Sequence, residues 1–259
     1  MNAVKLITWN VNGIRARESE LLKLLEDEKP DVAMVQETKA TREQLPDTLH
    51  GLMALPAYHG VWHGSAGYSG VGVLLRKDVF ERPRDAHPPF DLETRVVEAH
   101  TKRAGEPITL VTMYVPNGGK DFDAKMKFLR ALAEYPKSLV SSGGERAIIA
   151  GDLNVARADV DVHRSQRKPG LIGQRAEERE LFEKCLSNGL VDVCRALAPD
   201  DKGLFTWWPY WRDSRNRNVG WRIDYVLATP PLAERAKEMR VMRDFGTSDH
   251  APVVVVFDW

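Results

Sequence analysis

Cysteine is nearly absent. Cys185 and Cys194 are the only two in 259 residues, too few for a disulfide framework and wrongly spaced for a redox pair or a zinc cluster. Cys185 falls with Leu181, Phe182 and Leu186 at helical spacing, so it reads as a buried thiol. No charge of one sign prevails, since 37 Lys plus Arg stand against 37 Asp plus Glu, and a basic coat for nucleic acid is excluded. No apolar run approaches the roughly 20 residues that cross a bilayer. The opening MNAVKLITWN has no charged stretch followed by an apolar one, so a soluble, cytoplasmic protein with no membrane partner is expected. Internal repeats and low-complexity linkers are missing too. What is present is ordinary globular material, 43% hydrophobic and 29% charged, enough for a sizeable core. At this length one large domain over residues 1–259 is expected.

Short apolar or alternating runs between turn signals read as strands: Val4–Trp9, Val32–Gln36, Val71–Arg76, Arg95–His100, Ile108–Tyr114, Ala147–Ala150, Ile223–Ala228 and Val253–Phe257. Helical patterns lie at Glu18–Glu28, Asp121–Leu139 and Ala176–Asn188, the last stopped by Gly189. The mixture is α/β. No helix separates GVGVLLR, TRVVEAH and ITLVTMY, which predicts antiparallel neighbours, whereas a helix joins the first two strands. Mixed sheets packed as a sandwich with helices outside follow. Ser141–Gly144 and the proline-rich Arg82–Phe90 are predicted loops.

Polar residues cluster where the strands end or begin, as chemistry on an α/β scaffold usually does. Asn10 and Asn12 follow the first strand, Glu37 the second, and Asp152 and Asn154 another; Asp224 interrupts an apolar strand, and Asp249-His250 precede the last. Singly, each also suits a turn or cap. Together, four carboxylates, several amides and one histidine form a set of hard oxygen ligands with a proton-handling group, which suits magnesium and a phosphate-ester substrate. Zinc would need more His or Cys ligands. His59 and His63, four apart on one strand with no third ligand, read as ordinary exposed histidines.

Trp207, Trp208, Trp211 and Trp221 are four of the seven tryptophans and fall within fifteen residues. From Lys202 to Arg222 there are five basic residues and only Asp213 as acid, a local charge of +4 on a neutral chain. Aromatic faces beside guanidinium groups suit stacked bases or a sugar-sized pocket flanked by phosphates, so a polynucleotide fits better than a small ester. The alternative is a tryptophan-rich core edge with solvated arginines.

The motifs WNVNGIR (Trp9–Arg15), QETK (Gln36–Lys39), GYSGVG (Gly67–Gly72), YVPNGG (Tyr114–Gly119), GDLNVA (Gly151–Ala156), TWW (Thr206–Trp208), NVGWRIDY (Asn218–Tyr225) and SDHAP (Ser248–Pro252) occur in that order. With them the chain resembles the exonuclease III/AP endonuclease family of DNA-repair phosphodiesterases, within the wider group that includes deoxyribonuclease I. The resemblance runs from about Ile7 to Val256. It implies a four-layered α/β sandwich, and a divalent ion, magnesium with manganese as the alternative, held chiefly by Glu37 with Asn12 and Asp249 in or near its coordination sphere. It maps an acid–histidine pair onto Asp224 and His250, and makes Asp152 the other candidate for general base or for protonating the leaving oxygen. Asn10, Asn154, Tyr114 and Asn117 are implied to hold phosphate oxygens and the attacking water. Trp207, Trp221 and Ile223 match a pocket for a flipped, base-free deoxyribose.

The chain departs from the family in its DNA-facing loops. His163–Gly170 (HRSQRKPG) replaces an Asn- and Gly-containing stretch, so Arg164 and Lys168 stand as cationic phosphate contacts. Lys120 sits where some relatives insert an arginine, and lacks its planar fork. Trp211 and Arg212 occupy the other wedge position; Arg15, Tyr68, Arg215 and Arg217 complete the expected DNA-contacting set. The implied function is cleavage of double-stranded DNA 5′ to abasic sites and trimming of 3′ ends, by a monomer associated with the nucleoid through its DNA. Two alternatives stay open: a small-molecule or lipid phosphoesterase of the wider group, and a DNA-binding module without catalysis.

Overall fold

A computed structural model of the chain describes residues 3–54, 57–141 and 146–259. Among these residues, twelve strands form two six-stranded sheets. They are β1 (Ala3–Asn10), β2 (Val32–Gln36), β3 (Tyr58–Ser65), β4 (Tyr68–Arg76), β5 (Arg84–Ala86), β6 (Val96–Arg103), β7 (Glu106–Tyr114), β8 (Ala147–Asp152), β9 (Val191–Asp192), β10 (Asp224–Ala228), β11 (Ala236–Val241) and β12 (Val253–Asp258). The first sheet has the order β11-β12-β1-β2-β4-β3 and the second β5-β6-β7-β8-β10-β9. Both are mixed: β1 and β2 run parallel in one, β7 and β8 in the other. Helices α1 (Glu18–Glu28) and α2 (Asp47–Ala54) cover the first sheet; α3 (Phe122–Ser141) and α4 (Ala176–Ser187) cover the second. The four-layered sandwich is the expected fold. Among the described residues no helix is long and apolar enough to cross a membrane.

Each helix forms for local reasons. In α1, Leu21, Leu24 and Leu25 share the buried stripe, Glu18 and Glu20 occupy the first turn, and Lys29 ends the helix in the left-handed conformation. Two expectations are corrected. GVGVLLR (β4) and TRVVEAH (β6) are not hydrogen-bonded neighbours but lie in opposite sheets, packed face to face; the β6–β7 pairing is antiparallel as expected. The proline-rich Arg82–Phe90 segment is not all loop, because Arg84–Ala86 adds an edge strand to β6. Of the expected Ser141–Gly144 loop, Ser141 closes α3 and the remainder lies outside the described residues.

The inter-sheet core follows the period of two along each strand. Val4 and Leu6, Val32 and Met34, Ile108 and Leu110, Ile148 and Ala150, and Val226 and Ala228 all point between the sheets, each Val, Leu, Ile or Met among them stabilising by roughly 1.5–3 kcal/mol. Continued along the same parity, every one of these series turns polar at one edge of the sandwich: Thr8 and Asn10, Gln36, Thr112 and Tyr114, Asp152, and Asp224. The pairing sets them side by side, with Asn10 opposite Gln36 and Asp152 opposite both Tyr114 and Asp224. Gln36 spans the sheets, its amide donating to Thr8 Oγ1 and Thr112 Oγ1 at 2.9 Å each. Gly151 lets β8 reach this edge. Its φ is +147°, and an added Cβ would lie 2.1 Å from the Met113 carbonyl oxygen.

Candidate active site

At the polar edge lies a cleft of about 960 Å³ whose walls include Glu37, Asn12, Tyr114, Asp152, Asn154, Asp249 and His250. Glu37 (φ +55°), Asn12 (+46°) and Asn154 (+51°) are held in the left-handed region, a conformation that costs non-glycine residues energy and clusters at functional sites. Asn10 is completely buried. Its amide donates to Glu37 Oε2 at 3.1 Å and to Asp152 Oδ2 at 3.0 Å, and its Oδ1 accepts from the Asn12 backbone at 3.0 Å. The expectation that Asn10 grips phosphate is thereby corrected, because both its amide hydrogens are committed to carboxylates.

His250 is buried between two acids. Its Nδ1 lies 2.9 Å from Asp224 Oδ2 and its Nε2 lies 3.7 Å from Asp152 Oδ2, while its backbone carbonyl accepts from Trp9 Nε1 at 3.1 Å. Burial alone would lower the imidazole pKa, but the Asp224 and Asp152 carboxylates push it up to about 10. Burial pushes Asp152 up to about 7, with Asp224 adding repulsion while His250 and the bonds from Asn154 and Asn10 pull the other way. Asp249 is held below the usual carboxylate range: burial opposes this, but His250, the Trp207 indole N–H (3.0 Å) and the Asn12 amide (2.9 Å) prevail. Burial, reinforced by Glu37 and Asp152, raises the Tyr114 phenol far above its ordinary value, so it remains protonated.

Trp207 and Trp221 face the cleft edge to face, with ring centroids 5.5 Å apart and Ile223 packed against them. Trp208 is core, and its indole donates to Asn218. Trp211 is 65% exposed and lines the cleft with the exposed Leu171, while the hydroxyl of the exposed Tyr210 accepts from the Asn12 amide at 3.3 Å. Lys168, Arg212 and Arg217 line the cleft, whereas Arg15, Lys120 and Arg164 are exposed outside it. Asn117 is at its rim, with Oδ1 accepting from the Gly119 N–H. Arg215 is corrected from DNA contact to loop anchor: its guanidinium donates to the carbonyls of Arg243, Gly246, Phe245 and Ser248 and packs over Trp208.

Four positions were not singled out from the sequence. Thr206 Oγ1 accepts from the backbone N–H groups of Ile223 and Asp224, holding the acid behind His250. Arg95 stacks on the Tyr114 ring at 4.7 Å and donates to the exposed Tyr68 hydroxyl at 2.6 Å. Gln166 Oε1 accepts from Trp221 Nε1 at 2.6 Å. Lys125, completely buried on α3, pairs with buried Glu178 on α4 at 2.5 Å and donates to the carbonyls of Asn154 and Asn117, tying two site loops to the helix layer. Only Thr206 lay inside a recognised motif; the rest join segments far apart in the chain.

The sequence from residue 7 to 250 matches the endonuclease/exonuclease/phosphatase family. The chain belongs to that family. It is 32% identical to the exodeoxyribonuclease of Bacillus subtilis (strain 168), covering 98% of this chain and 100% of that protein. It is 31% identical to recombination repair protein 1 of Drosophila melanogaster, of whose length the match spans 37%. Among solved structures, an AP endonuclease from Archaeoglobus fulgidus superposes with a TM-score of 0.86 at 32% identity, covering 99% and 100% of the two chains. A single-residue variant of the Neisseria 3′ phosphatase NExo, bound to a product DNA hairpin, gives 0.87 at 30% identity with the same coverage. Membership accounts for the deoxyribonuclease I-like sandwich and for a chain that hydrolyses phosphodiester bonds.

Two outcomes follow from the geometry. Lys125→Met leaves the Glu178 carboxylate buried without its cation and should cost about 3–5 kcal/mol, whereas Lys125→Met with Glu178→Leu should regain much of the loss; urea unfolding measures both. In metal-free protein the Asp152 carboxyl should titrate near 7 by carbon NMR. Its folded pKa is raised, so the carboxylate form is lost as pH falls through that value, and magnesium at Glu37 should move the titration downward.

Proposed function

We propose that this protein is a magnesium-dependent DNA-repair phosphodiesterase that cuts duplex DNA 5′ to abasic sites and removes 3′ nucleotides or 3′ blocking groups, manganese being the alternative ion. The observation that carries this reading is the His250–Asp224 pair, buried beside Asp152, at the floor of a cleft walled by Trp207 and Trp221. Hydrolysis requires a proton to leave the attacking water, while negative charge grows on the phosphorus-bound oxygens, the departing O3′ among them. His250, protonated because two carboxylates hold its charge, is a donor to that oxygen charge and not a base. Asp224 fixes the ring. Asp152, whose carboxyl balances near neutrality, takes the proton from water. Tyr114 keeps its proton and donates to phosphate, and Asn154 and Asn117 border the same space.

The donor set suits a hard cation. Glu37 Oε1 and Asn12 Oδ1 share one ammonium, Lys39 Nζ, at 3.0 and 2.6 Å, so a positive charge already stands between the two oxygens expected to hold metal; Asp249 is bonded to the same Asn12 amide. Asp152, Asp224 and His250 also bring their donor atoms within 4.8 Å of one another, but two of those acids are spent on the imidazole. A bound divalent ion would supply charge neutralisation on the phosphate oxygens. Three observations favour a polynucleotide over a small ester: the paired tryptophans, the exposed Trp211 in the cleft wall, and the cationic rim of Lys168, Arg212 and Arg217.

A gel assay separates the readings. Abasic duplex should be cut with magnesium and not with EDTA, and an inositol phosphate should be left intact; the reverse preference would establish the small-ester enzyme, and metal-independent binding without cleavage the inactive module. Glu37→Gln removes an anionic oxygen and should raise the magnesium concentration needed for half-maximal cleavage, with folding retained. An unchanged titration would take Glu37 out of the ligand set.

His250→Ala should lower kcat by about 10²–10³ with duplex binding preserved, as for the loss of one positioned donor to developing oxygen charge. If Asp224 acts only through His250, adding Asp224→Asn to His250→Ala should cost little more; additive losses would make Asp224 an independent structural element.

Selection rests on size. An abasic sugar leaves the helix cheaply, whereas an intact nucleotide must break stacking and pairing at a cost of a few kcal/mol. Trp221→Ala should enlarge the pocket and lower kcat/KM on an abasic duplex more than on a recessed 3′ end. Equal losses on both substrates would assign Trp221 to packing alone.

A further inference from the structure

The expectation for HGVWH does not hold. His63 is half-buried, and its partners come from outside the motif. His63 Nε2 lies 2.6 Å from Asp91 Oδ2, and its ring stacks on that of His87 with centroids 3.8 Å apart. Ligand atoms of His63, His87 and Asp91 all lie within 4.8 Å of one another, brought together because β3 runs beside the loop that joins β5 to β6. His59 is no member of the group.

The surroundings of the three are those of metal ligands. Asp91 Oδ1 accepts from the backbone N–H groups of Arg95 and Val96, each at 2.8 Å, which fixes the carboxylate and leaves Oδ2 directed at the histidines. His87 Nδ1 lies 3.3 Å from the Val96 carbonyl, and a proton there leaves the Nε2 lone pair for a ligand bond, the usual arrangement of a metal-binding histidine. Two imidazoles and one carboxylate form a borderline donor set, in contrast to the oxygen donors at Glu37, Asn12 and Asp249. Such a set prefers zinc and neighbouring transition ions over magnesium. His87 is exposed, so an ion can enter and keep water as its fourth ligand.

We propose that His63, His87 and Asp91 form a second cation site, separate from the cleft, for a zinc-class divalent ion. Its occupation would brace residues 87–95, the loop that ends in Arg95 and so supports the Tyr114 wall of the cleft.

The test is zinc binding by equilibrium dialysis of the full-length protein in millimolar magnesium, with cobalt as a spectroscopic probe of the same site. Wild type should retain one more equivalent of zinc than His87→Ala or Asp91→Asn, and cobalt should give visible bands of a four-coordinate ion that those two variants lack. Since altering even an outer partner of a metal ligand costs roughly 10–100-fold in affinity, losing a ligand should weaken binding by at least that much. Glu37→Gln and His59→Ala should both keep the extra equivalent. His87→Ala alters an exposed side chain, so it carries the comparison if Asp91→Asn fails to fold. The same zinc stoichiometry in wild type and His87→Ala, or loss of the extra equivalent in Glu37→Gln, would overturn the proposal and leave His63–Asp91 a plain ion pair.

Discussion

Several carboxylates converge on the floor of one cleft, and their mutual repulsion is the constraint that the remaining structure answers. Asn10 is the central answer. Its amide stands between Glu37 of the first sheet's edge and Asp152 of the second, at 3.1 and 3.0 Å, so one neutral donor separates two acids and joins the two halves of the sandwich. His250 does the same with charge, lying between Asp224 and Asp152. Lys39 balances Glu37, and the Trp207 indole with the Asn12 amide balances Asp249. A buried carboxylate left out of this scheme would take up a proton and lose its chemistry. Asp152 comes nearest to doing so, and that is what suits it to the proton-accepting role proposed for it.

Strands were legible where a single rule governed them. Val4–Trp9 and Ile108–Tyr114 are apolar nearly throughout because the other sheet covers one face and helices the other, and eight strands are legible as such apolar or alternating runs. Partners were not legible in the same way: β4 and β6 are close in sequence and antiparallel in pattern, yet they belong to opposite sheets because the turn chemistry between them, including the short edge strand β5, carries no register. Site residues were legible when they sat inside a motif at a strand end, as Glu37, Asp152 and His250 do. Residue type misled where environment decides. Asn10 and Asn154 look alike in sequence, but one is sealed between two acids, whereas the other reaches the cleft wall with its amide on the Val115 carbonyl and Asp152; Arg215 looks like Arg217 until its guanidinium is seen to be used up by loop carbonyls. Lys125 and His87 act through contacts across long stretches of chain, for which a single sequence offers no signal.

The tryptophan-rich segment illustrates how one stretch serves two ends. Trp208 and Arg215 lock it to the body of the protein, one as core and the other as a clamp on the 243–248 loop. That anchoring leaves Trp207, Trp211, Arg212 and Arg217 displayed on a rigid support, which positions a site better than a mobile loop does. Net charge therefore says little about partners here. The chain as a whole is neutral, but Lys168, Arg212 and Arg217 stand at the wall of an acidic cleft, where a polyanion would meet them before its phosphates reach the carboxylates.

The register of the strands protects this chemistry. Asn10, Gln36, Tyr114, Asp152 and Asp224 all continue inner-face series that begin with valine, leucine, isoleucine, methionine or alanine, so the same parity that fills the core aims the polar ends into the cleft. A slip of one residue in β8 would turn Asp152 to the helix-covered face, an apolar layer that offers its carboxylate no partner. The cost of burying an unpaired carboxylate thus falls on any rearrangement that would misplace the acids. Catalytic geometry and fold stability are set by one alternation, and the loops around it remain at liberty to decide what the cleft admits.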